Sequence, residues 1–585
     1  MFDRIYRFYR AGKGLLFANP ASNETIAYQF EQHAGGENAG RPFLIYRDKR
    51  FSYAEANKHV NRHASAFKGL GLKKGDVVAL VMENRPEFLW HYLGAAKLGV
   101  IVSLVNTHNT GKPLAHSLRI CDPKLIMVGS EVAETFEQIR GELGIDVPTY
   151  VDTDAESAPY PALPPFSQLV REASDANPPE TSHNRLDEQL AYIYTSGTTG
   201  LPKAARVRNQ KVFAYGQAVG ALGFEARNTD VIYNCLPLYH MNGIGVCTGS
   251  VITWGACMVL ARKFSASRFW EDCRKHECTG FIYIGELCRY LMNTPAKDND
   301  ADNKVRVVVG NGLRPDIWEQ FQKRFGIERV AEFYGSTEGN IGTINFDNTP
   351  GSVGRLLFGG SLVRFDAEKE DFIRDAKGFC LKCKAGEPGV LIGQISNRAR
   401  FDGYQDQDAT NKKILRDVFK KGDAYFNTGD LLRMDGSRRL FFVDRMGDTF
   451  RWKGENVSTF EVQEQLSSWL PAKEANVYGV QVGATEGKAG MASVVLEEGQ
   501  QFDPGTFKTH VDSSLPPYAR PLFVRVRREM DTTATLKLKK QELKSEGFDP
   551  RKVEDPLYFR HPDTGNYVEM TEELYDDVIQ GKLRL

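Results

Sequence analysis

Short apolar runs and amphipathic stretches alternate along most of the chain. After Arg41 the run FLIY reads as a strand, Ser52 with Glu55 three residues on is a capping box that opens a helix, and VVALVM from Val77 reads as a second strand. PEFLWHYLGAAKLG is a helix with Pro86 at its start, where the missing N–H is not needed, and VIVSLV from Val100 is again a strand. Strand, helix, strand in succession predicts parallel sheets covered by helices, because a parallel neighbour requires a crossover long enough to hold a helix. Residues 158–182 turn proline-rich and lose their periodicity, which predicts a linker. Near Arg445 the pattern changes: a glycine-rich loop, a helix from Ser458, the strand-like NVYGVQV and the polar TTATLKLKKQELK predict a small α+β domain. The expected organisation is a large domain of helix-covered sheets over residues 1–446 and a smaller, mobile α+β domain over 447–585, with the boundary at Gly447 and Asp448. No fixed-period repeat is visible.

A chain of 585 residues exceeds a single core, and an apolar fraction of 41% is ample for packed interiors. Lys plus Arg equals Asp plus Glu at 75 each, so no global field draws nucleic acid and no such partner is expected. The nine cysteines are scattered; Cys380 and Cys383 form one C-x-x-C with no second pair nearby, which predicts free thiols in a reducing compartment rather than a zinc or redox pair. The opening MFDRIYRFYRAGKGLLFANP lacks the apolar stretch of a signal peptide, so secretion is not expected. On a helix Phe2, Ile5, Tyr6 and Tyr9 would share one face, with Arg4, Arg7 and Arg10 largely elsewhere; that face suits packing on its own domain or docking on a membrane surface. Residues 241–261 are uncharged and long enough on paper to cross a bilayer, yet Gly243, Gly245, Gly249 and Gly255 with Asn242 and Thr248 read as buried turns and helix. The expected location is cytoplasmic, with peripheral membrane contact; the oligomeric state stays open.

The most specific stretch is YIYTSGTTGLPK, residues 192–203. An apolar run breaks into hydroxyls and glycines and ends on a lysine, the composition of a loop that holds a polyphosphate. The common loop G-x-x-x-x-G-K-[ST] is excluded, because Pro202 precedes Lys203 and Ala204 follows it. Gly197 and Gly200 let backbone N–H groups approach phosphate oxygens, Thr195, Ser196, Thr198 and Thr199 supply hydroxyls, and Lys203 supplies charge. A Ser/Thr/Gly surface turn is the plain alternative. In EFYGSTEGN, Tyr334 offers an aromatic face to a base, Thr337 a hydroxyl to a phosphate and Glu338 a hard oxygen to Mg²⁺. In YFNTGDLLRMD, Asp430 follows a glycine turn and suits ribose hydroxyls or a helix N-cap equally. Arg445 suits ribose, phosphate or a surface salt bridge, and Gly447 permits a backbone hinge. Lys537, taken alone, reads as one lysine on a solvated strand face.

In this order and at these separations the segments resemble the adenylate-forming acyl-CoA synthetase superfamily over nearly the whole chain. The closer likeness is to its fatty acid transport protein and very-long-chain acyl-CoA synthetase branch, carried by YIYTSGTTGLPKAA, NCLPLYH, KFSASRFWEDC, YIGELCRYL, VVVGNGLR, RFDGYQDQDATNKK and GDTFRWKGENVST. The resemblance implies two half-reactions: a fatty acid and ATP form an acyl-adenylate and pyrophosphate, and coenzyme A then displaces AMP. It implies that Lys537 bridges the carboxylate and α-phosphate, that Glu338 holds Mg²⁺, and that Tyr194, Thr195, Ser196, Gly197, Thr198, Thr199, Gly200 and Lys203 form the phosphate loop. It further implies that Asp430 and Arg445 hold ribose, and that Tyr334 and Gly335 line the adenine pocket with Gly310, Asn311 and Gly312. Thr337 and His240 would act beside the reacting groups, and Gly243 and Gly245 would leave an acyl tunnel open to long chains. Other acids of this branch, sterol-derived or carnitine-type, and a transporter without catalysis are the competing implications. Leu536 stands where the family usually has glycine before its lysine, and Ala534 where this branch often has glycine, so the register shifts among Lys537, Lys539 and Lys540.

Overall fold

In a computed structural model of the chain the described residues are all of 1–585 except Met1, 155–159, 196–200, 367, 368, 370, 398, 454, 484, 486, 532–539 and 584. The chain divides into two compact units, one of Met1–Leu313, Ile317–Gly354 and Ile395–Ile414, the other of Arg314–Asp316, Arg355–Gln394 and Leu415–Leu585.

The first unit contains two sheets. One has the spatial order Thr149–Asp152, Leu125–Gly129, Val77–Val81, Ile101–Val105, Gln189–Thr195, Lys203–Arg208, all parallel except the last pair. The other runs Gly342–Ile344, Arg329–Gly335, Val307–Asn311, Gly280–Ile284, Val231–Asn234, Cys257–Leu260, Pro42–Tyr46, Lys49–Ser52, parallel except at its two edges. Central strands such as VVALV are buried throughout, as expected of parallel strands covered on both faces. The capping box forms: Glu55 N–H donates to Ser52 Oγ at 3.2 Å, and Ser52 N–H donates to the Glu55 carboxylate at 2.8 Å, starting the helix Tyr53–Gly69. Pro86 occupies the first turn of Pro86–Leu98.

Three segments carry more structure than their patterns suggest. The proline-rich stretch contains the helix Phe166–Glu172, because Phe166 is fully buried, its ring 5.4 Å from that of Phe67 and 5.0 Å from that of His91. Residues 241–261 form the π-helix Asn242–Thr248, the helix Gly249–Trp254 and the strand Cys257–Leu260; among the described residues no helix is long and apolar enough to cross a membrane. The first helix, Phe2–Leu15, buries Arg7 and Ala11 and leaves Ile5, Tyr6 and Tyr9 exposed, so its inward face is not the apolar one. Arg7 can lie inward because its guanidinium donates to the Ala226 carbonyl at 3.3 Å and lies 5.6 Å from the Trp254 ring centre.

The second unit holds an antiparallel sheet ordered Arg439–Arg445, Ala424–Met434, Pro388–Gln394, Gly360–Val363. Its second sheet is ordered Ala472–Val480, Ala489–Leu496, Phe523–Arg527, Leu557–Arg560, Tyr567–Glu569. Leu466 of the helix Thr459–Ser467 and Phe507 of Pro504–Ser514 close its core against Val477, Phe523 and Phe559. The expected helix start at Ser458 is an N-cap whose hydroxyl accepts from Glu461 N–H at 3.1 Å. All nine cysteines are free, and Cys383 alone is only half-buried.

Candidate nucleotide site

Thr195 ends one strand, Lys203 begins the next, and the two are paired across the antiparallel ladder. Ser196, Gly197, Thr198, Thr199 and Gly200 lie outside the described residues. Next to Thr195, the Tyr194 phenol is buried, 2.7 Å from Ser103 Oγ, and donates to the Ser117 carbonyl. Strand alternation explains this, since every second side chain faces the helical layer.

The hairpin end meets two segments far away in sequence. Residues 403–405 run beside Lys203–Arg208, with Gln405 N–H donating to the Ala204 carbonyl at 2.8 Å and Arg206 N–H to the Gly403 carbonyl at 3.0 Å. This places Tyr404, whose phenol feels both the Glu338 charge and the Thr195 hydroxyl and whose ring centre lies 5.9 Å from Lys203 Nζ. Burial first, then the Glu338 charge, push that phenol above its ordinary range and keep it a donor. Tyr404 therefore stands beside both Thr195 and the Glu338 carboxylate, a placement that the motif RFDGYQDQDATNKK did not disclose. Lys211, on the helix Asn209–Ala218, donates to the carbonyls of Ser336 at 3.2 Å, Gly339 at 2.6 Å and Thr337. Burial pushes its ammonium down to about 8, against the pull of Glu338 and Asp402. Glu338 and Thr195, reached by one phenol, are hard oxygen donors, a chemistry that fits magnesium.

Tyr334 and Gly335 end the strand Arg329–Gly335, and Gly310 and Asn311 end its parallel neighbour Val307–Asn311, so both lie at carboxyl ends, where open α/β sheets bind ligands. Gly312 has φ +88°, a conformation that favours glycine, and the space beside Gly335 ends at the Tyr215 hydroxyl, 3.3 Å from where a Cβ would stand. His240 follows the strand Val231–Asn234, its ring 4.7 Å from that of Tyr239, and Asn242 two residues on donates to Asn311 Oδ1 at 2.9 Å. The segment carrying His240 is thereby tied to the GNG turn.

Glu332 holds that turn from below. Its carboxylate accepts from Gly312 N–H and Leu313 N–H, each at 2.8 Å, and from the Tyr283 hydroxyl. Burial raises it to about 7 despite these three donors. Because the folded value lies above the ordinary 4.5, its contribution to stability is complete below about pH 4.5 and is lost as pH rises through about 7. Glu332→Gln should remove a slope on the order of 3 kcal/mol across that window, read as the difference between wild-type and variant urea-denaturation curves at pH 5 and pH 8.

Gly243 and Gly245 do not leave open space in the direction a side chain would take. A Cβ at Gly243 would stand 2.5 Å from the Pro237 carbonyl oxygen, and one at Gly245 would stand 2.2 Å from Met241 Sδ. Backbone crowds Gly243, whereas the atom beside Gly245 belongs to a flexible methionine side chain, so Gly243→Ala should cost about 1–3 kcal/mol in thermal unfolding.

On the second unit, Asp430 lies inside the strand Ala424–Met434 after Gly429 (φ +79°) and faces Arg445 across the ladder, Nε to Oδ1 3.8 Å. Asp430 is thus no helix N-cap, and this partly exposed pair contributes little to stability. Gly447 has φ +81° with open space where a Cβ would stand. Asp448 pairs with Lys544 at 2.7 Å and Lys540 at 3.4 Å, and Lys540 Nζ also donates to Thr459 Oγ1 at 2.8 Å. Burial opposes ionisation of Asp448, but the two lysines outweigh it and hold the carboxyl below its usual range. Lys537 and Lys539 lie outside the described residues.

One further His/Asp group among the described residues, His63, His91 and Asp152, is close enough to hold a metal. His91 Nε2 is already 2.7 Å from Asp152 Oδ2, and the Arg85 guanidinium lies 3.6 Å from Asp152 Oδ1 and donates to the Asp152 carbonyl at 2.7 Å. A cation there would be repelled by that guanidinium, so the group is a buried ion network.

A hydroxyl-bearing hairpin, a lysine, a tethered carboxylate and glycine turns at strand ends define an α/β protein built to handle a nucleotide. The chain belongs to the AMP-binding enzyme family: residues 30–381 match AMP-binding enzyme and residues 461–537 match AMP-binding enzyme C-terminal domain. It is 43% identical over 571 residues to long-chain fatty acid transport protein 6 of Mus musculus, covering 96% of this chain and 91% of that one. It is 39% identical over 571 residues to the medium/long-chain fatty acid–CoA ligase FadD6 of Mycobacterium tuberculosis, covering 97% and 93%. Its fold is similar to the anthranilate CoA ligase AuaEII in complex with anthranoyl-AMP, with TM-score 0.78 and 21% identity over 90% of this chain and 98% of that one. It is also similar to ATP-bound MatB from Rhodopseudomonas palustris, with TM-score 0.75 and 22% identity over 89% and 98%.

Proposed function

We propose that the chain is an AMP-forming long-chain or very-long-chain fatty acid–coenzyme A ligase that uses ATP and magnesium. The observation that carries this reading is the meeting of Thr195, Lys203, Tyr404 and Glu338, in a chain whose curated relatives include fatty acid transport proteins and a fatty acid–CoA ligase. A carboxylate oxygen is a poor leaving group until it is joined to phosphate. In the first step a fatty acid oxygen attacks the α-phosphorus and pyrophosphate leaves; in the second the coenzyme A sulfur attacks the acyl carbon and AMP leaves. Both partners of the first step are anions, so the loop residues and Lys203 cradle the β- and γ-phosphates while Lys537 spans the carboxylate and the α-phosphate. Glu338, with Thr195 nearby, would hold magnesium, which when bound neutralises phosphate charge. Tyr334, Gly335 and the 310–312 turn take the base, Asp430 and Arg445 the ribose, and Thr337 and His240 stand by the reacting groups. The left-handed backbone at Gly447 supports the hinge at Gly447 and Asp448, with residues 447–585 as the mobile part.

Pyrophosphate release with ATP and an acyl panel of about eight to twenty-four carbons tests this reading, since each buried methylene contributes roughly 0.8 kcal/mol. A preference for long chains supports it. Preference for a sterol-derived or carnitine-type acid changes the substrate, and binding of acids without pyrophosphate release leaves only a carrier linked to uptake.

The free thiols suit a cytoplasmic setting. A membrane surface is the proposed partner of the first helix: of the 13 most exposed large apolar side chains among the described residues, seven lie in 5–17, including Ile5, Tyr9 and Phe17. Lys13 is paired with Glu24 at 2.6 Å, while Arg10, hydrogen-bonded to the neutral Gln217 at 2.7 Å, keeps its charge beside the exposed phenols, a mix suited to the surface of a bilayer that holds fatty acid. The protein should float with phosphatidylcholine vesicles, and Tyr9→Ser with Phe17→Ser should not. Equal flotation, or self-association on sedimentation without vesicle binding, overturns this.

A further inference from the structure

Lys211 is the third residue of the helix Asn209–Ala218, which follows directly on the strand that Lys203 begins. Its ammonium has three N–H bonds, and three carbonyls of one turn receive them: Ser336 at 3.2 Å, Gly339 at 2.6 Å, and Thr337. The turn lies between the strands Arg329–Gly335 and Gly342–Ile344, so no sheet ladder shapes it. Tyr215, four residues on and therefore on the same side of the helix, brings its hydroxyl within 3.3 Å of the place where a Gly335 Cβ would stand. One helix thus holds the turn from Gly335 to Gly339, while the Tyr404 phenol lies beside the Glu338 carboxylate. Burying an ammonium carries a desolvation penalty that an apolar residue would avoid, so stability alone is a poor reason for a lysine at this place.

We propose that Lys211 is a positioning residue for nucleotide binding: by collecting the carbonyls of residues 336, 337 and 339 it sets the turn so that Glu338 meets the magnesium of the bound nucleotide. Its cation also offsets the Glu338 charge in the metal-free protein. The inference rests on the reading of Glu338 as the magnesium ligand. It adds a residue whose three hydrogen bonds among the described residues all go to backbone, and which no motif identifies.

The test is calorimetric binding of a non-hydrolysable ATP analogue at graded Mg²⁺, with full-length wild-type, Lys211→Met, Lys211→Arg and Glu338→Gln, and with fatty acid binding measured in the absence of nucleotide. Lys211→Met should raise the Mg²⁺ needed for half-maximal analogue binding by about tenfold or more, since charge-assisted hydrogen bonds are lost, and leave fatty acid binding unchanged. Lys211→Arg, which restores charge and donors in a bulkier shape, should fall between. If Glu338→Gln loses its Mg²⁺ response while folded Lys211→Met keeps it, the role of Lys211 is overturned even if the variant melts earlier. If Glu338→Gln keeps a wild-type response, the assignment of Glu338 is overturned instead. Should Lys211→Met fail to fold, Lys211→Gln, neutral but still able to donate, takes its place, and a wild-type Mg²⁺ response in it overturns the proposal.

Discussion

Lys537→Ala is expected to slow acyl-adenylate formation by on the order of 10² to 10³, the usual consequence of losing one preorganised donor at a charge-bearing transition state. Transfer of a synthetic acyl-adenylate to coenzyme A should stay nearly intact, because rotation about the hinge proposed at Gly447 and Asp448 would carry this lysine away before the second step. Pyrophosphate release reads the first step and acyl-CoA formation from the adenylate reads the second. Equal loss of both would remove Lys537 from its role. Lys540→Ala is the control for register: its ammonium is committed to Thr459 and Asp448, so its loss should loosen the segment around Gly447 and lower the melting temperature more than it slows adenylation. If Lys540→Ala instead halts adenylation and Lys537→Ala does not, the register moves by three residues.

Glu338→Gln is expected to lower kcat/KM for ATP by on the order of 10² to 10³, with partial recovery at high magnesium. The amide keeps an oxygen but not the charge that a hard divalent cation selects. The Tyr404 phenol, which lies beside the carboxylate in the native protein, would face a neutral amide oxygen of the same shape, so the fold should survive. Steady-state kinetics at graded magnesium measures the effect. A wild-type magnesium optimum would move the metal to other ligands.

Much of the architecture was legible because it depends on local pattern. The capping box at Ser52 and Glu55, Pro86 in its first turn and the fully apolar VVALV each follow from short-range chemistry, and each forms as expected. Patterns misled where long-range packing outweighed them. Residues 158–182 read as a linker because no period shows there, yet Phe166 finds His63, Phe67 and His91 and makes a helix worth forming. Tyr194 read as part of the phosphate loop because it is next to Thr195, but strand alternation turns its phenol toward Ser103 and Ser117.

The amino-acid sequence by itself determined the kinds of groups at the site: the hydroxyls and glycines of 195–200, Lys203, the aromatic and carboxylate of EFYGSTEGN, and Asp430 after its glycine turn. These are legible because a triphosphate calls for particular residue types within a few positions of each other. Only the tertiary structure decided which distant groups serve them. Tyr404 lies 66 residues after Glu338 and Lys211 lies 127 before it, and neither is marked by composition or period. What brings them in is backbone pairing beside Lys203–Arg208 and a helix that starts directly after that strand. Residue spacing encodes contacts made within one turn or one hairpin; contacts made across sheets depend on how the elements pack, and that follows from the sum of all buried surfaces rather than from any short stretch.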